Sequence, residues 1–287
     1  MRLNVLYRGP LSSCNYACGY CPFAKRKETT AELRADRAGL ARFLEFLRRE
    51  TDREWGVLFT PWGEALVRGW YRRAMRDLSQ LDHLKKVAIQ TNLSAPLDWV
   101  ADCRHDRLGF WATYHPTEVA RDVFVSRVER LWERGISLSV GAVGVPSRLA
   151  EIAALRSALP AEIYLWVNAE RGRRRRYTEE ELRLLKSIDP LFEINLHPHH
   201  TRGAHCLTGE TSFTVDGDGN MRRCHFVDEV IGNIHDQNWS HALRQRLCPN
   251  TRCDCHIGYS HLPALGLAER FGEGLLERNP LAKSRGR

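Results

Sequence analysis

Cys14-Asn15-Tyr16-Ala17-Cys18-Gly19-Tyr20-Cys21 is the stretch that decides how the rest of this sequence is interpreted. Its three thiols directly follow an apolar stretch, Leu3 to Tyr7, that predicts the first β-strand. In α/β folds the residues that carry chemistry lie on the loops at the carboxyl ends of the strands. Three thiolates can hold three irons of a cubane cluster and leave the fourth iron open. The stretch therefore predicts an iron-sulfur site on the loop after the first strand.

The sequence that follows alternates short apolar runs with longer amphipathic ones, a pattern typical of βα units and a mainly parallel sheet. The predicted strands are Leu3 to Tyr7, Gly56 to Thr60, Lys86 to Thr91, Leu108 to Tyr114, Ile136 to Ala142 and Ile163 to Asn168. The predicted helices are Ala31 to Arg49, Gly69 to Leu81, Asp122 to Arg134, Ser147 to Leu159 and Thr178 to Ser187. Six such units predict an α/β fold over residues 1–200, either a partial (βα)6 barrel or an open sheet.

The pattern changes from about His205, where a β-hairpin is predicted. The Asp-Gly pairs of residues 216–220 supply its turn. Its predicted strands are Ser212 to Val215 and Met221 to Cys224, followed by a helix from Leu262 to Leu276 and a frayed basic tail from Lys283 to Arg287. We therefore predict a second, smaller module over residues 201–287.

Composition limits the class of protein. The chain has 287 residues, nine cysteines and a formal net charge of +8. No apolar run approaches the length that spans a bilayer, and the first residues lack the apolar centre of a signal peptide, so we expect a cytoplasmic protein without a membrane partner. Because cytosolic thiols stay reduced, clustered cysteines there indicate metal binding rather than disulfides. The positive charge spreads over helix faces, which makes nucleic-acid binding the weaker interpretation.

The spacing C-x3-C-x2-C, with an aromatic residue before the last cysteine, resembles the signature of the radical S-adenosylmethionine (SAM) superfamily at Cys14, Cys18, Tyr20 and Cys21. The resemblance covers residues 1–200 and implies a partial barrel, a 4Fe-4S cluster on the three cysteines, and SAM on the open iron. It also implies reductive cleavage of SAM to a 5'-deoxyadenosyl radical that takes a hydrogen atom from a substrate, with flavodoxin or ferredoxin as the reductant. The alternative is a zinc knuckle, although the next cysteine or histidine along the chain is His83.

Other site residues follow from the same resemblance. Residues 60–64, Thr-Pro-Trp-Gly-Glu, resemble the superfamily's Gly-Gly-Glu segment with Trp62 in place of the first glycine. A carboxylate and backbone carbonyls there would accept hydrogen bonds from the SAM ammonium group. The resemblance assigns Tyr20, Gly63, Glu64, Thr113 and Ser139 to the cofactor, and His115 and Asn168 to the substrate. Each strand-end residue has a second interpretation as a cap of the following helix.

A second group of cysteines falls in the last third of the chain. Its members are Cys206, Cys224, Cys248, Cys253 and Cys255. The hairpin would bring the first two close, and four thiolates complete a cubane cluster. The arrangement resembles the twitch module, a short form of the SPASM extension that carries a second 4Fe-4S cluster. Which four ligate stays open, and the fifth is a spare thiol, an alternative ligand or a hydrogen-atom donor. A structural zinc site helped by His225 and His256 is the alternative.

The predicted function is hydrogen abstraction by a radical SAM enzyme from a small biosynthetic metabolite. That substrate class is favoured because the sequence starts directly on the first strand. The alternatives are a ribosomal-peptide-modifying enzyme and, from another class, a zinc-bearing nucleic-acid-binding protein. The basic run Arg171 to Arg176 is expected at the barrel mouth, where it would meet a substrate phosphate or carboxylate, or else form a solvated loop. Strings at residues 12–26, 59–67 and 255–262 resemble a small bacterial family of stand-alone radical SAM proteins with no assigned reaction.

Overall fold

The computed structural model describes residues 2–21, 23, 26–170 and 176–281. The strands are β1 (Arg2–Tyr7), β2 (Glu54–Phe59), β3 (Leu84–Thr91), β4 (Leu108–Thr113), β5 (Ser137–Val143), β6 (Leu165–Asn168), β7 (His199–His200), β8 (His205–Cys206), β9 (Ser212–Val215), β10 (Asn220–Arg222), β11 (Val230–Asn233), β12 (Arg246–Leu247) and β13 (Arg252–Cys253). The helices are α1 (Thr30–Arg49), α2 (Gly69–Ser79), α3 (Arg121–Trp132), α4 (Leu149–Ala158), α5 (Glu179–Ile188), α6 (His256–Tyr259) and α7 (Leu267–Phe271).

Strands β1 to β6 lie side by side in chain order and are all parallel. Helices α1 to α4 connect successive strands, and α5 follows β6. Each of these six strands is largely buried, as expected for a parallel sheet covered on both faces. Strands β1 and β6 do not pair with each other, so the barrel is partial. The prediction of an α/β fold with six βα units is confirmed, and each predicted strand and helix in this region begins and ends within two residues of the observed one.

Helix α1 begins and packs as its sequence predicts. Thr29 accepts a hydrogen bond from the Glu32 N–H, and the Glu32 carboxylate accepts one from the Thr29 N–H, so both ends of a capping box are formed. The apolar stripe of this helix, Leu40, Phe43, Leu44 and Leu47, is buried against the sheet. The helix is therefore fixed by its cap at one end and by its buried face along its length.

The predicted hairpin forms and joins the barrel sheet. Strand β9 pairs in parallel with β1, with Val5 opposite Phe213, and β10 and β11 continue the sheet in antiparallel fashion. Between β9 and β10 the Asp216 carboxylate accepts hydrogen bonds from the backbone N–H groups of Asp218 and Asn220, as in an Asx turn. The predicted second module thus shares one nine-stranded sheet with the first.

The helix predicted from Leu262 to Leu276 is wrong. The chain there forms two short 3-10 turns, at residues 263–265 and 272–275, around the five-residue helix α7. Gly266 and Gly272 adopt positive φ angles of 59° and 45°, a conformation that a right-handed helix does not contain. The two glycines therefore break the segment into turns. The predicted basic tail, 283–287, lies outside the described residues.

Residues 276–279, here called the closing segment, fill the interior of the barrel on the amino side of its strands. Leu276 packs against apolar residues of β1, β2 and β3. Glu277 is fully buried and its carboxylate lies 3.1 Å from the ammonium group of Lys86. The Trp166 indole N–H donates to the Arg278 carbonyl at 2.8 Å. The closing segment therefore forms a floor beneath the carboxyl-end cavity.

None of the helices formed by the described residues is long and apolar enough to cross a lipid bilayer.

Candidate functional site

A cavity of about 580 Å³ lies at the carboxyl edge of the six parallel strands. It brings together the first cysteine group, loop residues of successive strands and part of the C-terminal region. Its lining includes Arg8, Cys14, Cys18, Cys21, Trp62, Gly63, Glu64, Asn92, Trp111, Thr113, His115, Asn168, Cys255, His256, Tyr259 and Arg278. The position agrees with the rule that sites of α/β barrels lie at this edge.

The three thiols of the first group lie near one another. Burial raises the pKa of Cys14, and the nearby acidic groups of Glu64 and Cys21 raise it further. Burial also raises the pKa of Cys18 to about 11, and Cys21 again contributes. All three thiols line the carboxyl-end cavity. The Asn92 amide donates to the Cys14 sulfur at 3.6 Å, which ties the cysteine loop to the end of β3.

His115 lies against the cysteine loop. Its Nδ1 is 2.8 Å from the Tyr20 hydroxyl and 3.2 Å from the Cys18 sulfur, and the Tyr20 and His115 rings are stacked. Burial lowers the pKa of His115 to about 4, so the imidazole is neutral at physiological pH. We expected His115 at the substrate and Tyr20 at the cofactor. The structure places both in one contact beside Cys18.

Gly63 permits a close approach of two loops. A β-carbon at this position would lie 1.8 Å from the Ser13 carbonyl oxygen, so any residue larger than glycine would have to displace one of the two loops. The next backbone N–H, that of Glu64, donates to the same carbonyl at 3.0 Å. The loop after β2 is thus held directly against the residue that precedes Cys14.

Glu64 is buried and accepts three hydrogen bonds. The donors are the Leu66 N–H at 2.9 Å, the Thr91 hydroxyl at 2.9 Å and the Asn92 N–H at 2.5 Å. Burial raises the pKa of Glu64 to about 7, against the lowering effect of these hydrogen bonds. The carboxylate therefore joins the ends of β2 and β3, and it positions the same Asn92 that contacts Cys14.

Trp62, which stands where the superfamily pattern has a glycine, forms part of the cavity rim. Its backbone N–H donates to the Leu11 carbonyl at 3.2 Å. The Arg8 guanidinium carbon lies 4.0 Å from the centre of the Trp62 ring, and the centres of the Phe23 and Trp62 rings are 4.7 Å apart. Sequence reasoning missed Arg8, although its place directly after the first strand is a signal for the barrel mouth.

The three remaining strand residues separate into two kinds. Thr113 and Asn168, at the carboxyl ends of β4 and β6, line the cavity as expected. Ser139 does not belong to that lining. It is fully buried and its hydroxyl donates to the Glu277 carbonyl oxygen. Because Ser139 lies in the middle of β5, its side chain reaches the closing segment, and the structure places it there and not in the cavity lining where a contact with SAM was expected.

One cysteine of the second group, Cys255, differs from the other four in lining the carboxyl-end cavity. Burial raises the pKa of Cys224 to about 11, and Cys206 and Cys248 contribute to that increase. Burial raises the pKa of Cys253 to about 12, with contributions from Cys224, Cys255 and Cys206. Cys206 acts on both of these pKa values, Cys248 acts on that of Cys224, and Cys255 acts on that of Cys253. Cys255 differs because it lines the carboxyl-end cavity.

Short strands bring these cysteines together. Cys206 lies in β8 opposite Arg246 of β12, and Cys253 lies in β13 opposite His199 of β7. No three His, Cys, Asp or Glu side chains within the described ranges are grouped tightly enough to hold a single metal ion. His256, which we considered as a zinc ligand, packs edge-on against Trp111 and Trp166.

A larger concavity of about 680 Å³ lies between α3 and α4. Its polar groups pair with one another: Tyr114 and Arg121 donate to the Glu151 carboxylate at 2.9 and 3.0 Å. It contains none of the cysteines, so the carboxyl-end cavity is the better candidate site. Residues 171–175 of the basic run predicted at the barrel mouth lie outside the described residues.

The fold, rather than the sequence, connects this chain with known proteins. No family model matches it and no curated protein matches its sequence. It is similar to Streptococcus suis SuiB bound to S-adenosylmethionine, with 15% identity and a TM-score of 0.55 over 85% of this chain. It spans 66% of SuiB, slightly under two thirds of that protein. It is also similar to anSMEcpe with bound AdoMet and Cp18Cys peptide, with 15% identity and a TM-score of 0.54 over 84% of this chain and 80% of that one. These similarities confirm the mixed α/β partial-barrel fold.

Proposed function

We propose that this chain is a radical SAM enzyme whose cluster is held by Cys14, Cys18 and Cys21. The observation that carries the proposal is the meeting of these three thiols at the carboxyl edge of six parallel strands, in the lining of one cavity. Two proteins with the same fold were solved with SAM bound, which supports an enzyme of this class. With cluster and SAM bound, the site would supply a 5'-deoxyadenosyl radical for hydrogen abstraction.

The donor set fits the proposed cluster. Three cysteines leave one iron of a 4Fe-4S cubane without a protein ligand, as SAM binding requires. The thiolates of a cubane lie farther apart than the ligands of a single ion, so this site does not need the tight grouping of a mononuclear metal site. Asn92 and His115 donate to or contact two of the sulfurs, and such contacts tune a cluster.

The surrounding residues hold the loop and leave space for the cofactor. Gly63 keeps the loop after β2 against Ser13, and the carbonyl groups of that loop are proposed to accept hydrogen bonds from the SAM ammonium group. Glu64 fixes the end of β3, while the Tyr20 and His115 pair fixes the cysteine loop. Thr113 is proposed as a further SAM contact.

We infer that Cys206, Cys224, Cys248 and Cys253 hold a second 4Fe-4S cluster in the region of residues 201–287. Cys206 and Cys248 act on the pKa of Cys224, and Cys224 and Cys206 act on that of Cys253, which supports this set; Cys255 also acts on Cys253, but it lines the cavity. Cys255 is left as a free thiol on the cavity wall. We therefore propose a twitch-like second cluster beside the carboxyl-end cavity.

A small biosynthetic metabolite is the proposed substrate, because the closing segment seals the cavity from the amino side and limits its depth. A peptide is the second candidate. The rim residues Phe23, Trp62 and Phe226 are 47%, 39% and 42% exposed, and such aromatic surface suits a larger apolar ligand.

An acidic flavodoxin or ferredoxin is the proposed reductant, since the chain carries a net charge of +8. The proposed compartment is the cytoplasm, where thiols stay reduced.

The experiment is anaerobic reconstitution, followed by iron and sulfide counts and incubation with dithionite and SAM. We expect about eight irons per chain for two cubanes and formation of 5'-deoxyadenosine. Cys18→Ala should abolish SAM cleavage, whereas Cys103→Ala, which changes a cysteine outside both groups, should keep it. Zinc in place of iron, or iron without SAM cleavage, would contradict the proposal and favour a zinc-bearing nucleic-acid-binding protein or an electron carrier.

A further inference from the structure

A buried guanidinium lies on the floor of the carboxyl-end cavity. Arg278 is 2% exposed and belongs to the closing segment. Its guanidinium carbon lies 3.6 Å from the centre of the Trp111 ring and 4.5 Å from that of Trp166. Its Nη1 donates to Asn168 Oδ1 at 2.9 Å, at the carboxyl end of β6. The closing segment therefore places a fixed cation beneath the cavity.

Arg278 has no carboxylate partner in the part of the chain that the structure describes: no Asp or Glu oxygen there lies within 4.0 Å of its side-chain nitrogens. Its Nε is buried without an acceptor. Burial lowers the pKa of Arg278, and Tyr259, Cys255 and Asp189 oppose that effect. The oxygens of Asp189 accept hydrogen bonds from the Tyr164 hydroxyl and the Val167 N–H. A buried charge without an ion-pair partner is costly, so an anionic ligand in the cavity would stabilise this guanidinium.

Two neighbours of Arg278 also have unused hydrogen-bonding groups. The Trp111 indole N–H and both ring nitrogens of His256 are buried and have no partner among the described residues. Both side chains are 4% exposed, line the cavity and contact each other with ring centres 5.5 Å apart. In each neutral tautomer His256 offers one N–H donor. Arg278, Trp111 and His256 are thus three neighbouring side chains with buried donors that no described residue uses.

The backbone of Arg278 supports the same interpretation. Its φ angle is 54°, in the left-handed region that non-glycine residues rarely occupy. The hydrogen bond from Trp166 to the Arg278 carbonyl holds this conformation. Strain of this kind is concentrated at sites where it positions a functional side chain. In this case the positioned side chain is that of Arg278, which lines the cavity.

We propose that Arg278, Trp111 and His256 form a subsite for a carboxylate group of the substrate. Because Nη1 is engaged by Asn168 and the buried Nε has no acceptor, the Nε edge of the planar guanidinium is the one proposed to make a bidentate contact with a carboxylate. The inference rests on the proposed function, because that function requires a substrate. It narrows the class of substrate to organic acids. SAM also carries a carboxylate, so the two sources of this group must be distinguished.

The test measures binding of sodium benzoate and of benzamide, its neutral isostere, to the reconstituted, SAM-loaded protein by anaerobic calorimetry. We expect benzoate to bind and benzamide to bind at least about tenfold more weakly, as for loss of a charge-assisted pair. Arg278→Met should abolish benzoate binding without changing the affinity for SAM. The control is Arg183→Met, which removes a positive charge from the exposed face of α5 and should leave benzoate binding intact.

Trp111→Phe keeps an aromatic ring beside Arg278 and removes only the N–H group, so it tests the subsite even if Arg278→Met does not fold. We expect it to weaken benzoate binding about fivefold, as for loss of one neutral hydrogen bond. Equal binding of benzoate and benzamide, no benzoate binding to the native chain, or unchanged binding by both variants would overturn the subsite. Loss of SAM affinity in Arg278→Met together with competition between benzoate and SAM would assign the site to the SAM carboxylate instead.

Failure of the proposed function gives a different result. In that case the native chain would bind no iron or no SAM, while the comparison of benzoate with benzamide on the metal-free protein would still show whether Arg278 selects a carboxylate.

Discussion

Gly63 and Ser13 are in such close contact that a β-carbon on residue 63 would lie 1.8 Å from the Ser13 carbonyl oxygen. Gly63→Ala must therefore displace the loop that carries Cys14. We expect the variant to fold but to retain less than about half of the iron at the first cluster, because ligands displaced by 1 Å no longer fit. Iron and sulfide counts after reconstitution measure the effect. Gly69→Ala is the control, since its new methyl group meets only flexible arginine side chains at the start of α2.

The division of the second cysteine group predicts two different iron contents. Cys248→Ala should lower the count from about eight to about four irons per chain, since one cubane loses a ligand. Cys255→Ala should keep about eight, because this thiol lines the cavity, which the other four do not, although it also acts on the pKa of Cys253. The opposite result, with iron lost from the second variant and kept in the first, would exchange the roles of the two cysteines.

Glu64 should make the stability of the metal-free protein depend on pH. Burial raises the pKa of Glu64 from 4.5 to about 7. The folded state therefore favours the protonated carboxyl, and this contribution is fully present below pH 4.5 and is lost as the pH rises through about 7. Relative to Glu64→Gln, the free energy of unfolding of the native chain should fall by about 3 kcal/mol over that range. Urea titrations at several pH values measure this difference, and parallel curves for the two proteins would contradict it.

Lys86 and Glu277 form a buried ion pair that anchors the closing segment. Their charged groups lie 3.1 Å apart, and the two residues are 5% and 0% exposed. Lys86→Met leaves the Glu277 charge unpaired and should cost about 3–5 kcal/mol of unfolding free energy. The double variant Lys86→Met with Glu277→Leu should recover most of that loss, since neither charge is then buried. Thermal and urea unfolding of the three proteins test this, and equal losses in the single and double variants would show that the pair itself matters little.

The cap of α1 should contribute measurably to stability. Thr29→Ala removes the hydroxyl that accepts from the Glu32 N–H and should lower the unfolding free energy by about 1 kcal/mol. Thr29→Ser preserves the acceptor and should stay close to the native value. A shift in the urea midpoint at unchanged slope is the expected signature. An equal shift in both variants would mean that the methyl group, not the cap, is responsible.

Local sequence patterns were sufficient for the six βα units and for the position of the cysteine loop. Apolar periodicity fixes each strand and helix within a few residues, and the carboxyl end of β1 places Cys14 at the cavity. Contacts between distant residues were not predictable in this way. Ser139 meets Glu277 across 138 positions, so its burial against the closing segment has no local signal.

The errors in the C-terminal region have a related cause. An apolar repeat from Leu262 to Leu276 resembles a helix, but the backbone freedom of Gly266 and Gly272 lets the chain turn and enter the barrel. Arg278 then reaches the cavity from a part of the sequence with no motif around it. From sequence, a lone arginine near a basic tail is interpreted as a solvent-exposed charge. Only the tertiary structure shows that Arg278 contacts two tryptophans.

The pairing of β1 with β9 has a consequence for how the chain is made. Strand β1 receives its second neighbour only when residues 212–215 have left the ribosome, more than two hundred residues after β1 itself. Until then the unpaired backbone N–H and C=O groups along this edge of β1, beside the cysteine loop, are open to pairing with other nascent chains. Slow synthesis at low temperature with ample iron supply should therefore raise the yield of active protein more than added denaturant or refolding would, because the hazard arises during translation rather than in the finished fold.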